Sequence, residues 1–428
     1  MTDTNQTKTE RAGLVSVLLP SSNERETEAL LDELERLTET AGAATVFRMT
    51  QTREAPDVRT YIGSGKIREL AELCSANEVT LVIFDTELSP AQIRNIENDL
   101  EDVRVIDRSM LILDIFALHA KSNEGKLQVE LAQLKYTVPR LIGKGLALSR
   151  QGGGSAIASR GPGETQLETD RRHVRRRMQA LEEELADLAV NRNTRRKQRD
   201  RTGIPKIAIA GYTNAGKSTL LNRLTGAGIP AEDKLFATLD PTARKLTLPD
   251  GNEVLLIDTV GFIRNLPHHL IEAFRSTLDE VRLADIILVM TDASDPEQGA
   301  QLAVTDTMLR DLECDGKPVL YVFNKCDKGP IACSLLPQSL SHDRIFYVSA
   351  ATGEGIDRLM AALEQIVREN TSRLTFCIPL SEQAELSRLY RLAKIESTEY
   401  GADSVTVTAV CDERAKGAFR KWIKNPTS

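Results

Sequence analysis

Aromatic residues are scarce in this 428-residue chain: they make up 4% of it, with a single tryptophan, Trp422. That argues against an aromatic stacking platform for single-stranded nucleic acid and leaves any such contact to Arg, Lys and backbone. The six cysteines (Cys74, Cys314, Cys326, Cys333, Cys377, Cys411) are scattered, without a C-x-x-C pair. A chain of this size needs no disulfide staples, so they are expected to be reduced and to hold no metal. No run of about eighteen apolar residues occurs, and the start, MTDTNQTKTERAG, lacks the charged-then-apolar layout of a signal peptide. A cytoplasmic protein without a membrane span is expected. Neither charge dominates: 55 Lys and Arg stand against 62 Asp and Glu, a net −7, and 41% hydrophobic with 27% charged residues fits an ordinary globular chain. The length suggests two to four domains, each with its own core.

Residues 1–110 alternate apolar runs (Leu14–Leu19, Ala44–Met49, Val79–Phe84) with helical patterns such as Glu26–Glu39 and Pro90–Leu100. That rhythm predicts βαβ units and an N-terminal α/β subdomain. Thr60-Tyr-Ile-Gly-Ser-Gly-Lys66 reads as a tight strand-to-helix turn rather than as a phosphate-contacting loop.

Residues 111–200 turn helical. Leu167, Val174, Met178, Leu181, Leu185 and Leu188 fall at coiled-coil spacings, with Leu127, Leu131 and Leu134 as a facing stripe, so a long antiparallel helical hairpin is expected. Its connection, about residues 141–163, holds seven glycines. Ordering so many glycines is costly, and such a loop is usually functional. Between Arg140 and Arg201 there are fifteen Lys and Arg against eight Asp and Glu, a local +7 that leaves −14 on the rest of the chain. A basic, glycine-tipped hairpin in an acidic protein points to a nucleic-acid phosphate backbone. The candidates for that contact are Arg150, Gly152, Gly153, Gly154, Arg160, Arg171 and Arg172.

The strongest signal lies in residues 205–370. Ile207-Ala-Ile-Ala210 is a buried-strand run followed by Gly211-Tyr212-Thr213-Asn214-Ala215-Gly216-Lys217-Ser218-Thr219 and a helical pattern. This is G-x-x-x-x-G-K-S in its strand-loop-helix setting. Its backbone NH groups can close around phosphate, Lys217 brings a point charge to the outer phosphates, and Ser218 can ligate Mg²⁺. Downstream, the strand Val254–Ile257 ends in Asp258-Thr259-Val260-Gly261, a carboxylate where Mg²⁺ would sit through water and a glycine whose NH can reach the γ-phosphate. The strand Val319–Phe323 ends in Asn324-Lys325-Cys326-Asp327. The Asp327 carboxylate can accept from guanine N1–H and N2–H, a pairing that adenine cannot offer, and Ser349-Ala350-Ala351 can give a backbone NH to guanine O6. Four such elements in order, each after a strand, define a GTP site with Mg²⁺ as cofactor. Residues 374–428 read strand, helix, two strands, helix, a small C-terminal α+β domain. The fold class is therefore α/β, with a mostly parallel sheet flanked by helices in the nucleotide-binding part.

The set GYTNAGKST, LFATLDPT from Leu235 to Thr242, DTVGF and NKCD, with TYIGSGK, Arg150-Gln-Gly-Gly-Gly154 and Arg160-Gly-Pro-Gly-Glu-Thr-Gln-Leu-Glu-Thr-Asp170, closely resembles the bacterial HflX GTPase family over nearly the whole chain. The resemblance implies binding to the large (50S) ribosomal subunit and its rRNA, ribosome-stimulated hydrolysis of GTP to GDP, and separation of stalled or vacant 70S ribosomes under stress. The chain would then act as a monomer in the cytoplasm, with some association at the membrane periphery. The resemblance also places switch I at Phe236, Ala237, Thr238, Leu239 and Asp240, with Thr238 closing on Mg²⁺ and γ-phosphate in the triphosphate state; spacing alone does not choose it over Thr242. Lys217, Thr238 and Gly261 are the catalytic candidates. Where Ras-like enzymes orient water with a glutamine after DxxG, this chain has Phe262, so slow intrinsic and partner-stimulated turnover is expected. A ribosome-assembly or RNA-remodelling GTPase, or a nucleotide-switched regulator with little turnover, is the alternative.

Overall fold

The computed structural model describes residues 9–20, 23–151, 162–200, 204–228, 234–236, 238–267, 270, 274–329, 344–369 and 371–424. They fall into two compact units. The first takes in the chain up to Ala186 together with Glu232–Asp240 and Arg264–Ser276; the second holds Asp187–Ala231, Pro241–Ile263 and Thr277 onward.

The first unit is built on a four-stranded sheet of order β2-β1-β3-β4, with β1 Glu10–Leu18, β2 Ala43–Thr52, β3 Leu81–Phe84 and β4 Arg104–Asp107. Every pairing is parallel. Helices α1 Glu24–Thr40, α2 Ser64–Ala76 and α3 Pro90–Leu100 make the crossovers, and α4 Arg108–His119 leaves β4 directly. Helix starts follow local chemistry. Asn23 caps α1 by accepting from the Arg25 amide. Ser89 and Gln92 form a reciprocal capping box with Pro90 in the first turn of α3, and Asp107 accepts from the Met110 amide at the start of α4.

Thr60-to-Lys66 is a structural turn here. The Thr60 hydroxyl donates to the Ile62 carbonyl at 2.8 Å and the Gly63 amide donates to Gln51 Oε1 at 2.8 Å.

The hairpin consists of α5 Asn123–Gln151 and α6 Pro162–Asp200. Leu127 and Leu181 are buried, while Leu131, Leu134, Val174, Met178, Leu185 and Leu188 are half-buried, so the expected stripes face inward. Arg177 bridges to Glu130 at 2.6 Å and Lys135 to Glu182 at 2.8 Å, tying the two helices.

Two expectations change. The helical stretch from Leu111 to Tyr136 is broken, because Ala120 is extended and Ser122 starts a new helix by accepting from the Gly125 amide at 2.9 Å. And α5 runs through 141–151, so the connection between the helices is 152–161 rather than 141–163 and lies outside the described residues. Good helix formers in Leu-Ile-Gly-Lys-Gly-Leu-Ala-Leu outweigh two glycines at about 1 kcal/mol each.

Arg108, at the β4–α4 junction, is 2% exposed. One guanidinium nitrogen donates to Glu33 Oε1 and, at 3.0 Å, to the Arg264 carbonyl. Breaking a buried pair leaves a charge uncompensated. Glu33→Ala should therefore destabilise the chain by about 3–5 kcal/mol in urea titrations followed by far-UV circular dichroism, and a cost below 1 kcal/mol would show that the pair is not holding the junction.

The second unit carries a six-stranded sheet of order β10-β9-β8-β5-β7-β6. Its strands are β5 Lys206–Gly211, β6 Thr242–Thr247, β7 Glu253–Asp258, β8 Ile286–Asp292, β9 Val319–Asn324 and β10 Ile345–Tyr347. Only the edge strand β6 runs antiparallel. Helices in order are α7 Lys217–Thr225, α8 Arg275–Arg282, α9 Gln298–Asp311 and α10 Ile356–Glu369. Leu220 and Leu221 of α7 and Leu359, Leu363 and Val367 of α10 pack with Ile207, Ile209, Leu256, Leu288 and Val322 of the strands into one apolar core.

The C-terminal part follows as β11 Thr371–Pro379, α11 Gln383–Leu392, β12 Lys394–Tyr400, β13 Ser404–Asp412 and α12 Glu413–Ala418, its antiparallel sheet ordered β11-β13-β12. Phe376, Leu389, Val407, Cys411 and Phe419 form its core. The α/β class with a parallel nucleotide-binding sheet and a small α+β part matches the reading of the sequence. No helix among the described residues is long and apolar enough to cross a membrane.

Candidate nucleotide-binding site

Three glycines shape the loop between β5 and α7 and its neighbour after β7. Gly211 has φ +145°, and a Cβ there would lie 2.1 Å from the Met290 carbonyl oxygen. Gly216 has φ +91°, and its Cβ would fall 2.3 Å from Asn324 Nδ2. Gly261 has an ordinary φ but a crowded position: a Cβ would stand 2.7 Å from Thr213 Cα and 2.9 Å from Lys217 Nζ. DxxG is thus pressed directly against the phosphate loop. The Phe262 amide donates to the Gly211 carbonyl at 3.0 Å and the Thr213 amide to the Phe262 carbonyl at 2.8 Å, stitching the two loops together.

Lys217 is buried, with Nζ donating to the Tyr212 carbonyl at 2.7 Å and the Gly211 carbonyl at 3.3 Å. Burial pushes its ammonium down to about 8, opposed by the Asp258 carboxylate. Ser218 Oγ donates to Asp258 Oδ2 at 2.6 Å, at the carboxyl end of β7. The Thr259 hydroxyl donates to the Ile209 carbonyl at 2.7 Å, tying this loop to β5.

On the base side, Asn324 stands at the centre. Its Nδ2 donates to the Ala215 carbonyl at 2.8 Å and its Oδ1 accepts from the Ala350 amide at 2.9 Å. Lys325 has φ +63° and its Nζ pairs with Asp292 Oδ2 at 2.7 Å, while the Cys326 amide donates to the Val348 carbonyl at 3.3 Å. Asp327 is exposed, and a hydrogen bond from the Ser349 side chain holds its carboxyl below the usual range. Ser349 itself organises the last loop: its amide donates to the Glu354 carbonyl at 2.9 Å, and its Oγ accepts from the Thr352 amide at 3.1 Å. The Ala350 amide, one candidate donor to guanine O6, is held by Asn324 Oδ1 in this arrangement, and Ala351 follows it in the same loop.

Switch I and Arg264–Ser276, the segment a few residues after DxxG, belong to the first unit. Phe236 is buried, with φ +57°, and meets Phe116 of α4 edge-on at 4.8 Å; Phe274 meets the same ring at 4.5 Å. The Asp240 carboxylate accepts from the Lys121 amide at 3.1 Å, the Ser122 amide at 2.7 Å and the Ser122 hydroxyl. In this arrangement these side chains face the N-terminal elements. Leu239 is buried, Thr238 is half-buried and Ala237 lies outside the described residues. Phe262, the residue after DxxG, is 1% exposed and itself offers no polar group to orient water. Of the RNA candidates, Arg172 is exposed and Arg171 half-buried on α6; Gly152, Gly153, Gly154, Arg160 and the Arg150 side chain lie outside the described residues. Sequence reasoning missed Arg108, Phe116, Ser122 and Asp292. Gly125, a glycine at a helix start, was the one visible signal for that contact.

A phosphate loop, a DxxG glycine seated on it and an NKxD base loop bonded to the phosphate loop through Asn324 define a P-loop GTPase, an enzyme that hydrolyses GTP. Residues 28–117 match the family described as GTP-binding GTPase N-terminal, 119–199 the GTP-binding GTPase middle region, and 206–325 the 50S ribosome-binding GTPase. GTPase HflX of Caldanaerobacter subterraneus subsp. tengcongensis is 46% identical, covering 97% of this chain and 94% of that protein. GTPase HflX of Lacrimispora saccharolytica is 47% identical over 96% of each, and that of Escherichia coli K12 42% over 90% of each. The chain belongs to the HflX family of GTPases.

Proposed function

We propose that this GTPase binds the 50S ribosomal subunit and, in its GTP state, separates stalled or vacant 70S ribosomes in the cytoplasm under stress. Four functional parts serve it: an N-terminal α/β part (1–110), the hairpin (111–200), the GTPase part (205–370) and the C-terminal part (374–428). The observation that carries the reading is that switch I falls in the unit that bears α5 and the first part of α6, with Asp240 bonded to Ser122 and Phe236 packed on Phe116. The description of the family matched at 206–325 supports the choice of partner.

Chemically, Ser218 and Asp258 offer a pair of hard oxygens 2.6 Å apart, the donor set that suits Mg²⁺. Ser218 and Thr238 would hold the ion directly and Asp258 through water, and the ion would neutralise charge on the β- and γ-phosphates. Lys217 places its ammonium against the same oxygens, and the Gly261 amide donates to the γ-phosphate. Phe262 is packed, with both backbone groups bonded to the phosphate loop, so it orients no water. Intrinsic turnover is slow, and the partner supplies or assembles the missing polar group, a gain of about 10³ to 10⁵. The hairpin's arginines contact rRNA phosphates.

Sucrose gradients test this. Vacant 70S particles given protein and GTP should resolve into 30S and 50S peaks, with the protein on 50S, and a nonhydrolysable analogue tells whether hydrolysis drives splitting or later release. Comigration with intact 70S would favour the assembly or regulatory alternative.

A further inference from the structure

Asp240 ends switch I, yet its carboxylate sits on the N-terminus of α5, the first helix of the hairpin. It accepts from two main-chain amides, Lys121 at 3.1 Å and Ser122 at 2.7 Å, and from the Ser122 hydroxyl. A negative charge there satisfies helix-start NH groups and meets the positive end of the helix dipole. Approach is so close that a Cβ on Gly125 would lie 2.7 Å from Asp240 Oδ1. Two residues upstream of Thr238, Phe236 is buried against Phe116.

We propose that Asp240 is a detachable cap of the hairpin helix, and that closure of switch I on the nucleotide withdraws it. The proposal rests on the assignment of Thr238 to the triphosphate state made above. Thr238 lies two residues from each anchor, so the chain lets it travel at most about 7 Å from either while both hold. Closure beyond that slack removes the carboxylate from α5 and leaves the Lys121 and Ser122 amides to water. Linkage makes the effect reciprocal: a partner that displaces the start of α5 frees switch I to close. The cap is thus the joint between nucleotide state and hairpin.

Gly125→Ala in the full chain is the sharpest probe, since it crowds Asp240 without touching the nucleotide loops and replaces glycine by the better helix former. Ser122→Ala removes the hydroxyl donor independently. Fluorescent GDP and a fluorescent nonhydrolysable GTP analogue serve as ligands. Holding the switch open lowers apparent affinity by the competent fraction, so both variants should bind the analogue about 5- to 20-fold more tightly than the parent, with GDP affinity within about twofold. In the parent, the analogue should also speed hydrogen exchange at residues 121–126 relative to GDP. Unchanged analogue affinity in both variants would overturn the proposal. So would weakened GDP binding in both, since the contact would then be part of the fold. Thr238→Ala separates the two levels: if it leaves analogue affinity intact, the switch I assignment fails; if it weakens the analogue while Gly125→Ala and Ser122→Ala do nothing, only the cap fails.

Discussion

Asp327→Asn should lower GDP affinity by about 10⁴-fold and create a site for xanthosine diphosphate. The carboxylate stands exposed on the short turn Cys326–Lys328, oriented by Ser349 and held ionised by that hydrogen bond. Its two oxygens can take both donors of guanine, N1–H and N2–H. An asparagine keeps one acceptor and turns an NH₂ toward the other, which faces the guanine amino group donor to donor but suits the carbonyl at that position of xanthine. Competition of unlabelled GDP and XDP against a fluorescent guanine nucleotide reads the switch directly. Preserved guanine selectivity in the variant would remove Asp327 from base recognition.

Lys217→Ala should reduce GTP turnover by at least about 10³-fold and abolish GTP-dependent subunit separation. The ammonium is buried and held by the Tyr212 and Gly211 carbonyls, aimed across the loop that Gly261 closes. Truncation leaves those carbonyls facing the phosphates with no positive charge between. The hairpin lies outside this chemistry, so weak RNA binding should persist, which distinguishes a lost site from a lost fold. Phosphate release measured with and without ribosomes checks it, and parental turnover in Lys217→Ala would refute the assignment.

The nucleotide loops were legible because their chemistry is local: a strand, a few residues of forced geometry, then a helix or turn. Gly211, Gly216 and Gly261 sit where a Cβ would strike neighbouring atoms, and the motif spacing records that constraint. The alternating N-terminal rhythm was equally readable, down to the bounds of Pro90–Leu100 with its capping box. The break at Ala120 was not, because Leu111 to Tyr136 has no proline or other strong stop signal and the new start at Ser122 is engaged by Asp240, 118 residues away. The grip of Phe116 on Phe236 and Phe274 escaped for the same reason. Apolar residues in switch segments look like any other apolar residues until tertiary packing brings them to one ring. The run of α5 past Arg140 reflects the opposite error, in which two glycines were given more weight than the helix formers around them.

One amide side chain, Asn324, joins the cradle under the phosphates to the loop beside the purine. A lever of that kind makes the two ends of the ligand interdependent, as in a chelate: seating guanine stiffens the cup for the triphosphate tail, and an empty purine pocket slackens it. Guanosine and pyrophosphate offered as separate pieces should therefore bind far more weakly together than the intact molecule does, and the protein answers to the whole nucleotide rather than to either fragment.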